Sequence, residues 1–156
     1  MMTESSYQKA IFQFRRNCSL GYSRVRGNSE IKNKVFGLVW FCFDLLGQNS
    51  TNRPVILYMH GGSFYAGTKT MTDCVDFCTS MAKRGYVTVS LNYRLSTIFA
   101  FIASQDVQYQ TVLKAVADSK AAVRFFRKDV AENGNTYGID ETTIFAGGYS
   151  AGGVIA

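Results

Sequence analysis

Gly148-Tyr149-Ser150-Ala151-Gly152, preceded by the short apolar run Thr143-Ile144-Phe145-Ala146-Gly147, decides the fold of this chain. A serine framed as G-x-S-x-G behind a strand-like run is the pattern of a sharp strand-to-helix turn. Such a turn holds the hydroxyl out above a sheet. It is strained, and its helix packs tightly on the strand just left, so small neighbours are needed. Gly148, Ala151, Gly152 and Gly153 meet that demand. With 14 glycines in 156 residues, other glycine-rich turns have to be weighed. Gly147, Gly148, Gly152 and Gly153 do not give the G-x-G-x-x-G spacing of a dinucleotide loop, and no Gly-Lys-Ser or Gly-Lys-Thr follows. Ser150 is the candidate nucleophile. Its hydroxyl is weak until a histidine takes its proton and a carboxylate orients that histidine.

A second motif lies upstream. Pro54-Val55-Ile56-Leu57-Tyr58-Met59 is continuously apolar, as in a parallel strand buried on both faces. It runs into His60-Gly61-Gly62-Ser63-Phe64-Tyr65-Ala66-Gly67. This resembles the HGGG-type loop of lipases and esterases, in which backbone N–H groups help to form an oxyanion hole. Glycine suits that task because no side chain keeps the backbone from the developing oxyanion. Ser63 stands where the third glycine would be.

The chain resembles the N-terminal half of an α/β-hydrolase of the carboxylesterase and hormone-sensitive-lipase-like group. Four segments carry the likeness in that group's order: Tyr58 to Phe64, Arg84 to Leu95, Asp118 to Phe126, and Tyr137 to Asp140 leading into the elbow strand. The resemblance is clearest over residues 53–156. It implies a mostly parallel sheet flanked by helices, with Ser150 as nucleophile and the N–H groups of Gly61, Gly62 and Ala151 as oxyanion donors. The implied reaction is hydrolysis of a carboxylic ester through an acyl-enzyme, with a small-molecule ester as substrate and no metal or organic cofactor. Alternatives of the same fold are an amidase or formamidase, a peptidase, or a non-catalytic binding protein.

In the resembled group the order is Ser, then Asp or Glu, then His. His60, 90 positions before Ser150, is therefore expected to support the oxyanion loop and not to act as base. Asp44, Asp73, Asp76, Asp106, Asp118 and Asp140 also precede Ser150, and surface, capping or structural roles are expected of them. Only six residues follow Ser150. The 156 residues are thus expected to be the N-terminal part of a single domain, cut just after the elbow and inactive alone.

The remaining pattern agrees with an alternation of strands and helices. Met71, Cys74, Val75, Cys78, Met81 and Ala82 have helical spacing, and Gly85 stands where a helix C-terminal glycine belongs. Tyr86 to Leu91 reads as the next strand. From Asp106 to about Val130 a helix is expected, its stripe made of Tyr109, Val112, Leu113, Val116, Val123, Phe126 and Val130, ended by Asn133-Gly134. Val35 to Leu46 reads as strand-like and Gly47 to Arg53 as a polar turn.

At 47% apolar and 18% charged residues, the chain is too hydrophobic for disorder, and it has no long apolar run for a membrane span. The charge of +6 is scattered, without the basic stripe of a nucleic-acid binder. Cys74 and Cys78, one helical turn apart, suit buried thiols better than a disulfide; with Cys18 and Cys42 they read as reduced. That usage and the lack of an apolar leader in the first 20 residues lean towards the cytoplasm. Oligomeric state is not specified.

Overall fold

The computed structural model describes residues 41–43 and 51–156. Of the strand expected over Val35 to Leu46, Phe41–Phe43 is strand (β1), and the rest lies outside the described residues. The centre of the sheet is β2, Arg53–Met59, with Val55, Leu57 and Met59 fully buried. Its neighbour β3, Val87–Leu91, is buried at every position. The pair run parallel, Val55 opposite Val87 and Met59 opposite Leu91. β4, Ile139–Gly148, lies parallel on the other side of β2, and β1 is antiparallel on β3, giving the order β1-β3-β2-β4.

Helices cover both faces, which is why β2 is apolar or aromatic from Val55 to Met59 and why β3 buries even Thr88 and Ser90. On one face lies α1, Thr72–Ala82, which buries Cys74, Cys78 and Ala82. Phe77 stacks on Tyr58 at 4.3 Å, and the Cys78 carbonyl accepts from Thr88 Oγ1 at 3.0 Å. Cys74 and Cys78 are both buried and form no disulfide, and burial pushes the Cys74 thiol up to about 11, far from a reactive thiolate. Gly85 takes φ 96°, the left-handed exit that a residue with a Cβ resists.

On the other face lies α3, Gln105–Glu132. Its innermost line is Thr111, Ala115, Asp118, Ser119, Ala122, Phe126 and Asp129. Of the expected stripe, Phe126 is on that line, while Val112, Val116, Val123 and Val130 flank it and Tyr109 and Leu113 are exposed. The reason is size. Small residues bring the helix axis close to the sheet, and the valines wedge in from the sides. Lys114, Lys120, Arg124, Arg127 and Lys128 face solvent, as the pattern predicts.

Two further departures are local. Arg53 belongs to β2 instead of the preceding turn, and its guanidinium is buried because it donates to the Tyr137 carbonyl at 2.7 Å. A short helix, α2 (Ile98–Ala103), precedes α3. Thr97 caps it by accepting from the Ala100 N–H, and Ser104 caps α3 by accepting from the Val107 N–H. An all-apolar hexamer has no polar face to reveal a helical period, so sequence pattern alone misses α2. No helix among the described residues is long and apolar enough to cross a membrane.

Candidate active site

The sheet register places the two motifs side by side. Met59 pairs with Gly148, so the chain leaving β2 and the chain leaving β4 emerge at adjacent carboxyl ends. The Tyr149 N–H donates to the Met59 carbonyl at 3.3 Å, extending the pairing one residue into the turn. A five-residue helix, α4 (Ala151–Ile155), follows at once. Ser150 joins strand to helix with φ 53° and ψ −117°, a conformation that costs of order 1–3 kcal/mol for a residue with a Cβ. The surroundings hold it there, and the side chain is exposed.

Two glycines make this possible by backbone contact. A Cβ on Gly152 would lie 2.0 Å from the Met59 oxygen, and one on Gly148 would lie 2.5 Å from the Gly152 carbonyl carbon. Gly153 is different: a Cβ there would meet only ordinary contacts, the nearest at 3.4 Å. The demand for small residues, read from sequence as covering Gly153 too, is confined to Gly148 and Gly152 among these three.

Gly61 faces the serine. A Cβ on Gly61 would come within 3.5 Å of the Ser150 Cβ and 3.1 Å of the Tyr149 ring. The loop then turns through four positive-φ residues, Gly62 (120°), Ser63 (52°), Phe64 (66°) and Gly67 (97°). Among the described residues, no hydrogen bond engages the N–H of Gly61, Gly62 or Ala151. Free donors beside an exposed serine form an arrangement that can receive a negatively charged oxygen.

His60 stands behind this loop and is wholly buried. Its ring stacks on Tyr93 at 4.4 Å, and Nδ1 lies 2.6 Å from the Gly61 carbonyl oxygen. A carbonyl only accepts, so Nδ1 carries the proton. Nε2 has no partner, and thus no bond to Ser150. Burial pushes the imidazole below its ordinary 6.5, against weaker opposite pulls from the Gly61 bond and the Asp73 charge. Below pH 6.5 the unfolded chain then binds a proton that the folded chain refuses. This contribution to stability is complete above pH 6.5 and is lost as pH falls from there towards the folded value. His60 is the chain's only histidine, so one imidazole proton resonance reports it; its titration midpoint is expected below 6.5.

The candidate acids do not converge on this point. Asp73, Asp76 and Asp106 are exposed. Asp140 accepts from the Thr142 and Thr143 hydroxyls, bonds that hold its carboxyl below the usual range. Asp44 lies outside the described residues. Asp118 is buried, accepts from the Arg94 backbone N–H at 2.9 Å and pairs with its guanidinium at 2.8 Å.

That pairing fixes a segment that the sequence marked only as part of the likeness from Arg84 to Leu95, with no role in the site. Residues 90–96, leaving β3, brace the loop after β2 along its length. The Tyr93 hydroxyl donates to the His60 carbonyl at 2.7 Å, and the Ser96 N–H donates to the Phe64 carbonyl at 2.9 Å. Asn92 accepts from the Lys69 N–H at 2.7 Å, and Ser90 donates to the Lys69 carbonyl at 2.8 Å. The available signal was position: polar residues directly after a buried parallel strand lie at the same sheet end as the elbow.

Comparison with known proteins agrees with this fold. The BD-FAE family model matches residues 45–156. The para-nitrobenzyl esterase of Bacillus subtilis is 35% identical over 109 residues, 67% of this chain and 20% of that protein. The neuroligin-like protein glit-1 of Caenorhabditis elegans is 30% identical over 112 residues, 72% of this chain and 14% of that protein. Among solved structures, a thermophilic esterase of Thermogutta terrifontis with propionate bound superposes with a TM-score of 0.59 at 25% identity, over 76% of this chain and 39% of that one. The chain thus spans a fifth or less of these two curated relatives. It belongs to the BD-FAE family, among the carboxylesterase-like α/β-hydrolases.

Proposed function

We propose that these residues supply the nucleophile and oxyanion donors of a serine esterase. The observation that carries the reading is Ser150, held at φ 53° and facing Gly61 amid the unengaged N–H groups of Gly61, Gly62 and Ala151. Ser150 Oγ attacks the ester carbonyl and loses its proton to a general base. The carbonyl oxygen becomes an oxyanion held by the three N–H groups. The alcohol leaves with a proton, and water then releases the acid from the acyl-serine. Each donor of this kind contributes about 2.7–4 kcal/mol to the transition state.

We assign the general base and its orienting acid to polypeptide outside residues 51–156. His60 is turned into the loop by its Nδ1 bond, and none of the described aspartates partners its other nitrogen. The reading is supported by the esterase named among the relatives and the esterase named among the solved structures.

The test is labelling with a fluorophosphonate, which reacts only with an activated serine, together with hydrolysis of a nitrophenyl ester of a short acid. In the full-length protein the label is expected on Ser150, with turnover. In residues 1–156 alone, neither is expected. Strong labelling of the isolated chain that is lost in His60→Ala would make His60 the base. Turnover by the full-length protein with the label on another residue would overturn the assignment of Ser150.

A further inference from the structure

Each oxyanion donor is one end of a peptide plane, and the other end is a carbonyl pointing the opposite way. The N–H of Gly61 shares its plane with the His60 carbonyl, and the N–H of Gly62 shares its plane with the Gly61 carbonyl. Both carbonyls are engaged. His60 Nδ1 donates to the Gly61 oxygen at 2.6 Å, and the Tyr93 hydroxyl donates to the His60 oxygen at 2.7 Å. The Ser150 carbonyl, in the plane that ends at the Ala151 N–H, accepts from the Gly153 N–H at 2.9 Å.

We infer that Tyr93 is a positioning residue for the oxyanion donors, its hydroxyl clamping the peptide plane that carries the Gly61 N–H. The inference rests on the reading of Ser150 and Gly61 as nucleophile and donor. The clamp has two effects. Fixing the carbonyl fixes the direction of the N–H across the same rigid plane. A hydrogen bond at the oxygen also polarises the amide, so its N–H becomes a stronger donor.

Tyr93 is well placed for this. Only 5% of it is exposed, its ring is stacked on His60 at an interplanar angle of 17°, and the Phe64 ring meets its edge. Burial, with the Cys74 thiol adding to it, pushes the phenol up to about 12, so the hydroxyl remains a donor across any working pH. The next residue is anchored in turn, because the Arg94 N–H and guanidinium both bind Asp118 on α3. The clamp thus reaches from the helix layer, through the end of β3, to the loop after β2.

The experiment is Tyr93→Phe in the full-length protein. It keeps the ring and removes one bond. Ester hydrolysis is expected to lose kcat by about 10-fold, less than the 10²–10³-fold of removing a donor outright, with KM within about twofold. Affinity for a trifluoromethyl ketone, which forms an oxyanion on Ser150, should fall in parallel with kcat. Thr88→Val is the control. It deletes another buried hydroxyl bond, from Thr88 to the Cys78 carbonyl, away from the loop. Its kcat is expected to stay at the wild-type level even if its stability falls.

If Tyr93→Phe retains kcat and ketone affinity, or if Thr88→Val loses kcat equally, Tyr93 does not position the donors. Should the phenylalanine variant not fold, 3-fluorotyrosine at position 93 decides, since its more acidic hydroxyl strengthens the bond. Turnover at or above wild type agrees with the clamp, and loss of turnover overturns it. Fluorophosphonate labelling of the wild type separates the two levels: a label away from Ser150 removes the underlying reading, and a label on Ser150 with an inert Tyr93→Phe removes only the clamp.

Discussion

Ser150→Ala in the full-length protein is expected to lower ester turnover by about 10⁴-fold or more, because removing the nucleophile ends the acyl-enzyme route and leaves only donors and binding. Backbone conformation supplies a second readout that side-chain chemistry alone does not. Ser150 occupies φ 53°, so alanine inherits the strain whereas glycine relieves it. Ser150→Gly should therefore be as inactive as Ser150→Ala and yet unfold at a higher denaturant concentration. Steady-state kinetics and urea titration on the three proteins check both halves. Residual turnover within tenfold of wild type in either variant would place the chemistry elsewhere.

Gly152→Ala is expected to carry the largest structural effect, with a loss of stability of about 3 kcal/mol or more. The added methyl would sit 2.0 Å from the Met59 oxygen and 2.6 Å from its carbon, and both are backbone atoms of the central strand. No side chain can swing aside to make room, so α4 must lift off β2 and carry Ser150 with it. Gly153→Ala, one residue on, meets no such barrier and gains helix propensity of up to about 1 kcal/mol. Urea unfolding of the pair measures the difference, and fluorophosphonate labelling of the full-length variants reports whether the turn survives. Equal stabilities would mean that α4 does not pack on β2 as described.

The parts of this architecture legible in the sequence are those written in one local stretch. An apolar run ending in His60-Gly61-Gly62, and another ending in Gly148-Tyr149-Ser150, each announce a buried strand and the turn it feeds. Helix ends marked by Gly85 and Asn133-Gly134 are of the same kind, since a positive φ or a cap leaves a residue-level trace. The features missed depend on what lies across space. Which line of α3 touches the sheet is decided by how closely Ala115 and Ala122 let it approach, not by where its valines fall. The bond from Tyr93 to the His60 carbonyl spans 33 positions and becomes visible only once β3 is laid against β2. The contrast between Gly152 and Gly153 follows from the direction each would project a methyl, which composition cannot tell.

The position of β4 at one end of the strand order bears on how the sheet opens. In a parallel sheet, successive residues direct their N–H and C=O groups alternately to the two neighbouring strands. β2 has a neighbour on each side, whereas β4 is paired with β2 alone among the described residues. Every second amide of β4 thus faces outward without a ladder partner there, and Phe145 is 53% exposed. Local opening has a smaller cost where fewer bonds and less apolar contact are lost. Among the described residues, local opening is therefore expected to cost less at the end strands β1 and β4 than at β2 and β3, and β4 is the strand that leads into the serine. Any polypeptide that pairs with its outer edge would quiet that motion and steady the nucleophile in the same act.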